Sequence, residues 1–204
     1  MLINMIFSHK FKNKHNQIKL FIFLGSGGHT AEMIRLLKTI DFSKYNKRTY
    51  IISSGDFLSK EKVKKLEAEK LSTIKHTGKY NIKVIPRARH VGQSWCTTPF
   101  SSLLSLILCL KIFFWNKLGR PDLLLCNGPG SSVIICLSAI IIEVKTTTVF
   151  GFRRPDIIFI ESFARVKSLS LSGKLLLFFA DRFIVQWPDL IKKYPQTEYY
   201  GILI

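Results

Sequence analysis

The 204-residue sequence predicts an α/β protein built on a doubly wound, mostly parallel sheet. Three observations lead there. Short, continuously apolar runs end at glycine or polar residues, as strands buried on both faces do. Segments of helical period alternate with them. A strand, a glycine turn and a helix follow one another twice, at Leu20–Thr30 and at Asp122–Ile142.

Lys19 to Leu24 is the first such run, rich in Phe and Ile and closed by Gly25. From about Thr30 to Ile40, Ala31, Ile34, Leu37 and Lys38 alternate with Met33, Leu36 and Ile40 at helical spacing, and Asp41 and Ser43 end the helix. Thr49 to Ser53 is a second, β-branched strand, and Lys60 to Lys70 a charged helix with Glu and Lys three or four apart. Ile82 to Ile85 is the third strand, followed by the basic loop Pro86-Arg87-Ala88-Arg89-His90. An apolar helix spans Phe100 to Trp115. Asp122 to Cys126 is a buried strand that runs into Asn127-Gly128-Pro129-Gly130 and the helix Ser131 to Ile142. Ile157 to Ile160 and Phe183 to Val185 are strands flanking the helix Ser170 to Ala180. Repeats and dividing linkers are absent, so residues 20–204 are expected to form one domain behind a basic segment, 1–19.

Hydrophobic residues make up 47% and charged residues 22%, which excludes a disordered tail protein and a polytopic membrane protein. Charge is the anomaly: 31 Lys+Arg against 13 Asp+Glu leave +18, far beyond what solubility needs, so an anionic partner is expected. Nucleic acid, an acidic membrane surface and phosphorylated substrates all qualify. The four cysteines, Cys96, Cys109, Cys126 and Cys136, are too widely spaced for CxxC chemistry and sit mostly in apolar runs, so they read as reduced core thiols in a cytosol-facing chain. No metal or cofactor is expected.

The apolar start Met1 to Phe7 is interrupted by Ser8-His9-Lys10, so neither a secretory signal nor an N-terminal spanning helix is expected. Phe100 to Trp115 is shorter than the roughly 20 residues a span needs and carries Lys111. It reads as a buried or an interfacial helix. In the interfacial reading Leu106, Leu110 and Phe114 enter the membrane and Lys111 reaches the headgroups.

The sharpest local signal is Gly25-Ser26-Gly27-Gly28-His29-Thr30, between a strand and a helix. Three glycines let the backbone turn tightly and leave amides open, and the helix start adds a positive dipole end, which suits a phosphate or diphosphate. A plain tight turn is the alternative. His29 stands where a P-loop carries lysine, which argues against nucleotide hydrolysis. A dinucleotide fingerprint wants glycine at Thr30 and an acid ending the next strand, where Asp56 lies too far on. His29 serves a phosphate when charged, a substrate proton when neutral, or only the helix start. Glu161, at the carboxyl end of a strand, is the other candidate base or an ordinary solvated glutamate. Arg87, Arg89 and His90 suit lipid phosphates or form a solvated turn.

Four segments together resemble the asparagine-linked glycosylation protein 14 family: Gly25-Ser26-Gly27-Gly28-His29-Thr30-Ala31-Glu32, Leu124-Leu125-Cys126-Asn127-Gly128-Pro129-Gly130, Ser168-Leu169-Ser170-Leu171-Ser172-Gly173-Lys174 and Phe183-Ile184-Val185-Gln186-Trp187-Pro188. The resemblance runs from about Leu20 to Ile204 in order and spacing. It implies the Rossmann-like acceptor half of a two-domain inverting glycosyltransferase of the B fold, related to the N-terminal half of MurG. The other half, a separate donor-binding catalytic subunit of the asparagine-linked glycosylation protein 13 family, would complete a heterodimer. That enzyme adds the second N-acetylglucosamine from its UDP sugar to N-acetylglucosaminyl-diphosphodolichol at the cytosolic face of the endoplasmic reticulum membrane. The resemblance places the acceptor diphosphate on Gly25, Ser26, Gly27, Gly28, His29, Thr30, Asn127, Gly128, Pro129 and Gly130, with His29 and Glu161 as catalytic candidates. Against the family pattern, the chain shows no starting anchor, and Glu143 to Asp156 looks longer and more polar between helix and strand.

Two other functions compete with a transferase subunit. One is a purely structural anchor. The other is a basic nucleic-acid-binding domain, which would show basic residues interleaved with aromatics on one face, whereas the charge is scattered through Lys10–Lys19, Lys60–Lys79 and Arg153–Lys167. No nucleic acid is therefore expected as a partner. The apolar tail Tyr199 to Ile204 carries no charge after Glu198, and Gly201, Ile202, Leu203 and Ile204 are expected to pack into a groove of the donor-binding subunit.

Overall fold

The computed structural model describes residues 18–73, 78–89, 92–94, 96–150 and 154–203, with 143–150 known by their backbone. The chain alternates β1 (Lys19–Leu24), α1 (Gly28–Thr39), β2 (Lys47–Ser53), α2 (Phe57–Thr73), β3 (Lys79–Ile85), α3 (Thr98–Phe114), β4 (Leu123–Asn127), α4 (Ser131–Phe150), β5 (Asp156–Ile160), α5 (Leu171–Leu176), β6 (Arg182–Val185), α6 (Asp189–Lys193) and β7 (Glu198–Tyr199). The seven strands form one sheet in the order β3-β2-β1-β4-β5-β6-β7. Every neighbouring pair is parallel.

Side chains alternate across each strand, so each apolar run feeds two cores. Leu20, Ile22 and Leu24 of β1 face Met33, Leu36 and Leu37 of α1 and Val63 and Leu66 of α2. Phe21 and Phe23 face the opposite layer, with Cys109 and Phe113 of α3, Ile135, Cys136 and Ala139 of α4 and Leu176 of α5. Both faces of the inner strands are covered, which is why β1, β4 and β5 show no polar alternation. Cys109, Cys126 and Cys136 are buried thiols and Cys96 is exposed. Burial pushes the Cys109 thiol up to about 12, where it stays protonated and unreactive.

The order reverses between β1 and β4. β2 and β3 extend the sheet one way with α1 and α2 on one face, and β5 to β7 extend it the other way with α4 and α5 opposite, as right-handed crossovers require. The loops after β1 and β4 consequently diverge to opposite faces and leave a crevice at the carboxyl ends of the strands.

Several expectations change in extent. α4 continues to Phe150, so most of the stretch from Glu143 to Asp156 is helix rather than a polar connection. α5 is one short turn and a half, ending at Leu176 and not Ala180. Two elements escape sequence reading, the five-residue α6 and the two-residue β7. Among the described residues no helix is long and apolar enough to cross a membrane.

One buried ionic cluster ties β2 to α2. Arg48, with no exposed surface, donates from Nε to Glu67 Oε1 at 2.8 Å, from Nη2 to Oε2 at 2.7 Å and from Nη1 to the Tyr45 carbonyl at 2.6 Å. The Tyr50 hydroxyl donates to the same carboxylate at 2.5 Å, and the guanidinium lies 4.2 Å from the Phe42 ring centroid.

Candidate functional site: a cleft at the switch point

A cleft of about 680 Å³ opens above the crevice between β1 and β4. Its floor is the two glycine loops, with His29 from the first and Gly128, Pro129 and Gly130 from the second. Its walls are apolar side chains of α4 and α5, Val133, Ile134, Leu171 and Leu175. Arg89 and Arg165 stand at it from the loops after β3 and β5.

The loops interlock because two positions, Gly25 and Gly128, lack side chains. A Cβ on Gly25 would lie 2.6 Å from Pro129 Cδ, and one on Gly128 would lie 2.5 Å from His29 Cγ. Gly128 also has φ +78°, which disfavours any other residue there. Gly27 precedes α1 with φ 64°, no side chain caps that helix start, and no acid sits in its first turn. Gly27, Gly28 and Gly130 would meet nothing within 4 Å on gaining a Cβ. They are the open part of the cradle.

Two residues expected to touch the ligand turn inward instead. Thr30 is fully buried; its hydroxyl donates to the Gly25 carbonyl, and its oxygen lies 2.6 Å from the Ser59 hydroxyl oxygen. Ser59 in turn donates from its N–H and hydroxyl to Asp56, at 3.0 and 2.5 Å, which makes Asp56 the cap of α2. Asn127 is also buried and donates from Nδ2 to the His29 carbonyl at 2.7 Å. Both brace the loops from behind, and neither reaches into the cleft as a ligand contact.

Glu161 lines the cleft, yet its residue is only 1% exposed and its carboxylate is occupied. Oε1 accepts the Ser162 N–H at 3.0 Å; Oε2 accepts the N–H and hydroxyl of Ser170 at 2.9 and 3.0 Å. Ser170 caps α5 by accepting the Gly173 N–H at 2.9 Å, and a Cβ on Gly173 would fall 2.2 Å from Glu161 Oε2. The geometry makes Glu161 the anchor of α5 rather than a free base. Three of the carboxylate's roughly four acceptor sites are taken by these donors, both of Oε2 among them.

His29 is the titratable group that the cradle presents, its side chain 34% exposed. Its Nδ1 is buried without a hydrogen-bond partner and lies 3.8 Å from Glu32 Oε2. Burial alone would raise the Glu32 carboxyl, but His29, the Ser162 hydroxyl and the Phe163 N–H outweigh it and hold it below the usual value.

The basic loop after β3 is pinned by hydroxyls. Ser101 and Ser102 donate to the Ala88 carbonyl at 2.7 and 3.1 Å, Ser105 donates to the Pro86 carbonyl at 3.1 Å, and the Ala88 N–H donates to Ser131 Oγ at 3.2 Å. Arg89 reaches the cleft and donates to the Gln93 carbonyl at 3.0 Å. Arg87 is not among the cleft residues, and His90 lies outside the described residues. The loop after β5 is held from the far side, where Gln186 Nε2 donates to the Glu161 carbonyl at 3.0 Å and Trp187 Nε1 to the Phe163 carbonyl at 2.7 Å.

Residues 20–203 match the family model described as oligosaccharide biosynthesis protein Alg14 like. The chain is 47% identical over 192 residues to the UDP-N-acetylglucosamine transferase subunit alg14 of Schizosaccharomyces pombe, covering 94% of this chain and 86% of that one. The chain belongs to the Alg14 family. It is 42% identical to the rat subunit ALG14 over 188 residues, covering 91% of this chain and 82% of the rat one. With the human subunit it shares 40% over 190 residues, covering 92% and 83%. Among solved structures, the fold is similar to a putative UDP-N-acetylglucosamine 2-epimerase from Listeria monocytogenes, with TM-score 0.59 at 10% identity, over 88% of this chain and 42% of the epimerase. A second UDP-N-acetylglucosamine 2-epimerase gives 0.54 at 14% identity, covering 87% and 43%. At such identity the likeness speaks for the sheet and its winding alone.

The four segments that carry the Alg14 resemblance meet in space. The first two are the interlocked glycine loops, the third is the cap of α5 held by Glu161, and the fourth, with Gln186 and Trp187, buttresses the loop between them. Elsewhere the expected residues divide. On α3, Leu106 is half-buried and Leu110 packs on the core, while Phe114 and Lys111 are exposed. The exposed apolar strip of this helix is Phe100, Leu103, Leu104, Ile107, Phe114 and Trp115. At the chain end Ile202 is exposed, whereas Leu203 packs against the chain's own core and donates its N–H to Gln186 Oε1 at 3.3 Å. Ile204 lies outside the described residues.

Sequence reading missed Glu32, Arg165 and the apolar wall Leu171 and Leu175. Glu32 lies three residues after His29 on a helix, the spacing that puts two side chains on one face, and that was the available signal. Arg165 and the wall carried no such signal, because only the fold brings them to the cleft.

Proposed function

We propose that this chain is the acceptor-side subunit of a UDP-N-acetylglucosamine transferase. The observation that carries the reading is the meeting of two open glycine loops beneath a cleft with apolar walls and an arginine on either loop beside it. A lipid-linked diphosphate sugar needs those three environments together: backbone amides and arginines for the phosphates, an apolar wall for the first lipid units, and a titratable group near the sugar. The acceptor in this reading is N-acetylglucosaminyl-diphosphodolichol, and the reaction adds its second N-acetylglucosamine.

Catalysis requires the acceptor hydroxyl to lose its proton as its oxygen attacks the anomeric carbon of the donor sugar. The bond from that carbon to the UDP oxygen breaks and the electron pair leaves with UDP. In this reading His29 takes the proton. The donor would be held by a partner subunit of the asparagine-linked glycosylation protein 13 family, with Gly201 and Ile202 near the contact.

The same reading puts the chain at the cytosolic face of the endoplasmic reticulum membrane. Support comes from the exposed strip on α3 and the net charge of +18, which suit an interface of apolar tails and anionic headgroups. The exposed strip, not the Leu106–Leu110 face, is the surface available for it.

The test is co-expression with a donor-binding subunit and assay of sugar transfer from UDP-N-acetylglucosamine to a short-chain N-acetylglucosaminyl-diphosphoprenol. Transfer that needs both chains and fails in His29→Ala, with the complex intact, is the expected result. Transfer unaffected by changes throughout the cleft would leave the chain an anchor only.

A further inference from the structure

We infer that Glu32 is the positioning residue of this site, holding His29 in the tautomer that leaves Nε2 free to accept a proton. The inference deepens the acceptor-subunit reading and rests on it. Three observations carry it, and none involves the glycine cradle alone.

The residue is held at its Cβ, its ring and its backbone carbonyl. Its Cβ lies where a Cβ on Gly25 would come within 2.9 Å, and its Cγ, Cδ2 and Nδ1 lie 2.5 to 2.8 Å from where a Cβ on Gly128 would stand. Asn127 holds the residue's own carbonyl at 2.7 Å. Nδ1 is buried, so the exposure of the ring falls on its Cε1–Nε2 edge, at the cleft.

The buried Nδ1 faces one carboxylate. Glu32 Oε2 lies 3.8 Å away, a gap that closes by a small ring rotation; such contacts are often long before substrate binds. The other charged side chains at the cleft are Glu161, Arg89 and Arg165. Glu161 is spent on Ser162 and Ser170, and an arginine offers no acceptor. Asp56 is turned to Ser59, behind the loop. A carboxylate facing Nδ1 favours the proton there, which leaves the Nε2 lone pair to the substrate hydroxyl.

Glu32 is itself oriented. Its Oε1 accepts the Ser162 hydroxyl at 2.9 Å and the Phe163 N–H at 3.3 Å, so the loop after β5 fixes which oxygen is left for His29. One carboxylate thus joins the β5 loop to the first turns of α1. The Phe163 N–H donates and cannot accept, and this decides the test. In Glu32→Gln the amide oxygen must stay on Phe163 and Ser162, which keeps the loop attached and turns the amide NH₂ toward His29.

The experiment is run on the full chain co-purified with its donor-binding subunit. Imidazole ¹⁵N shifts of the wild type at alkaline pH are expected to show His29 protonated at Nδ1, with Nε2 bare. Glu32→Gln is expected to reverse that tautomer and lower kcat by about 10- to 100-fold or more, with acceptor KM within about twofold of wild type. A wild-type Nε2–H tautomer overturns the inference. So does a Glu32→Gln enzyme with wild-type kcat, because a residue that merely tethers the β5 loop is fully replaced by glutamine. If the wild-type complex transfers no sugar at all, the acceptor-subunit reading falls, while the wild-type tautomer still reports whether Glu32 orients His29.

Discussion

Replacing Gly128 by alanine tests the interlocked loops, and its cost follows from two features of the site. The backbone there has φ +78°, where a non-glycine residue costs about 1–2 kcal/mol. The new Cβ would also stand 2.5 Å from His29 Cγ and 2.8 Å from Nδ1, so the ring must leave its rotamer at a further cost of roughly 0.5–1.5 kcal/mol. Together these predict a loss of about 1.5–3.5 kcal/mol, which for a chain of this length lowers Tm by roughly 3–14 °C. Displacement of a reacting group by about 1 Å can cost 100-fold in rate, so kcat should fall more steeply than stability. Gly28→Ala is the companion measurement. Gly28 starts α1, lacks a positive φ and would meet nothing within 4 Å, so its Tm should hold or rise slightly while the new methyl crowds the cradle and raises acceptor KM. Thermal unfolding and transfer kinetics on both variants decide the matter. Equal Tm for the two variants, with wild-type kcat in Gly128→Ala, would refute the interlocking of the loops around His29.

Glu67→Ala should destabilise the fold by about 3–5 kcal/mol in urea titration, since it leaves the fully buried Arg48 without its carboxylate. At the sheet edge, Glu198 is held below its ordinary 4.5: burial raises it, but hydrogen bonds and charge from Arg182 and Tyr200 prevail. A depressed carboxylate stabilises the fold fully above its unfolded value and loses that contribution as pH falls through the folded one. The stability gap between wild type and Glu198→Gln should therefore be complete at neutral pH and shrink as pH falls below 4.5, read by denaturant midpoints across that range. Replacing Phe100, Leu104 and Ile107 with serine should weaken binding to anionic vesicles and leave Tm nearly unchanged, whereas Phe113→Ser, in the core, should lower Tm sharply.

Much of the architecture was legible because its causes are local or nearly so. Strands buried on both faces must be apolar along their length, and β1, β4 and β5 are, apart from the end residues Lys19, Asn127 and Asp156. A strand that ends in glycine before a helix announces a phosphate-type turn from a few consecutive residues. Less was legible where the cause lies elsewhere in the chain. The Thr146-Thr147-Thr148-Val149 run is a weak helix former, and nothing within it signals that α4 continues to Phe150. The strand β7 has two residues, too few to carry a period, and exists because β6 offers it a parallel edge.

Within the site the division is sharper. The sequence alone determined that a glycine-rich cradle follows the first strand, that a second follows the fourth, and that His29 stands in the first; spacing along one chain suffices for that. Which members of the cradle face the ligand was decided only by tertiary structure. Thr30 turns inward to Ser59 and the Gly25 carbonyl, and Asn127 turns its Nδ2 to the His29 carbonyl. Glu161 is diverted to the start of α5, and Glu32 is brought to Ser162, some 130 residues on, by the order in which the strands pair. A side chain's direction depends on what surrounds it, and here the surroundings come from loops that meet only when β1 and β4 lie side by side.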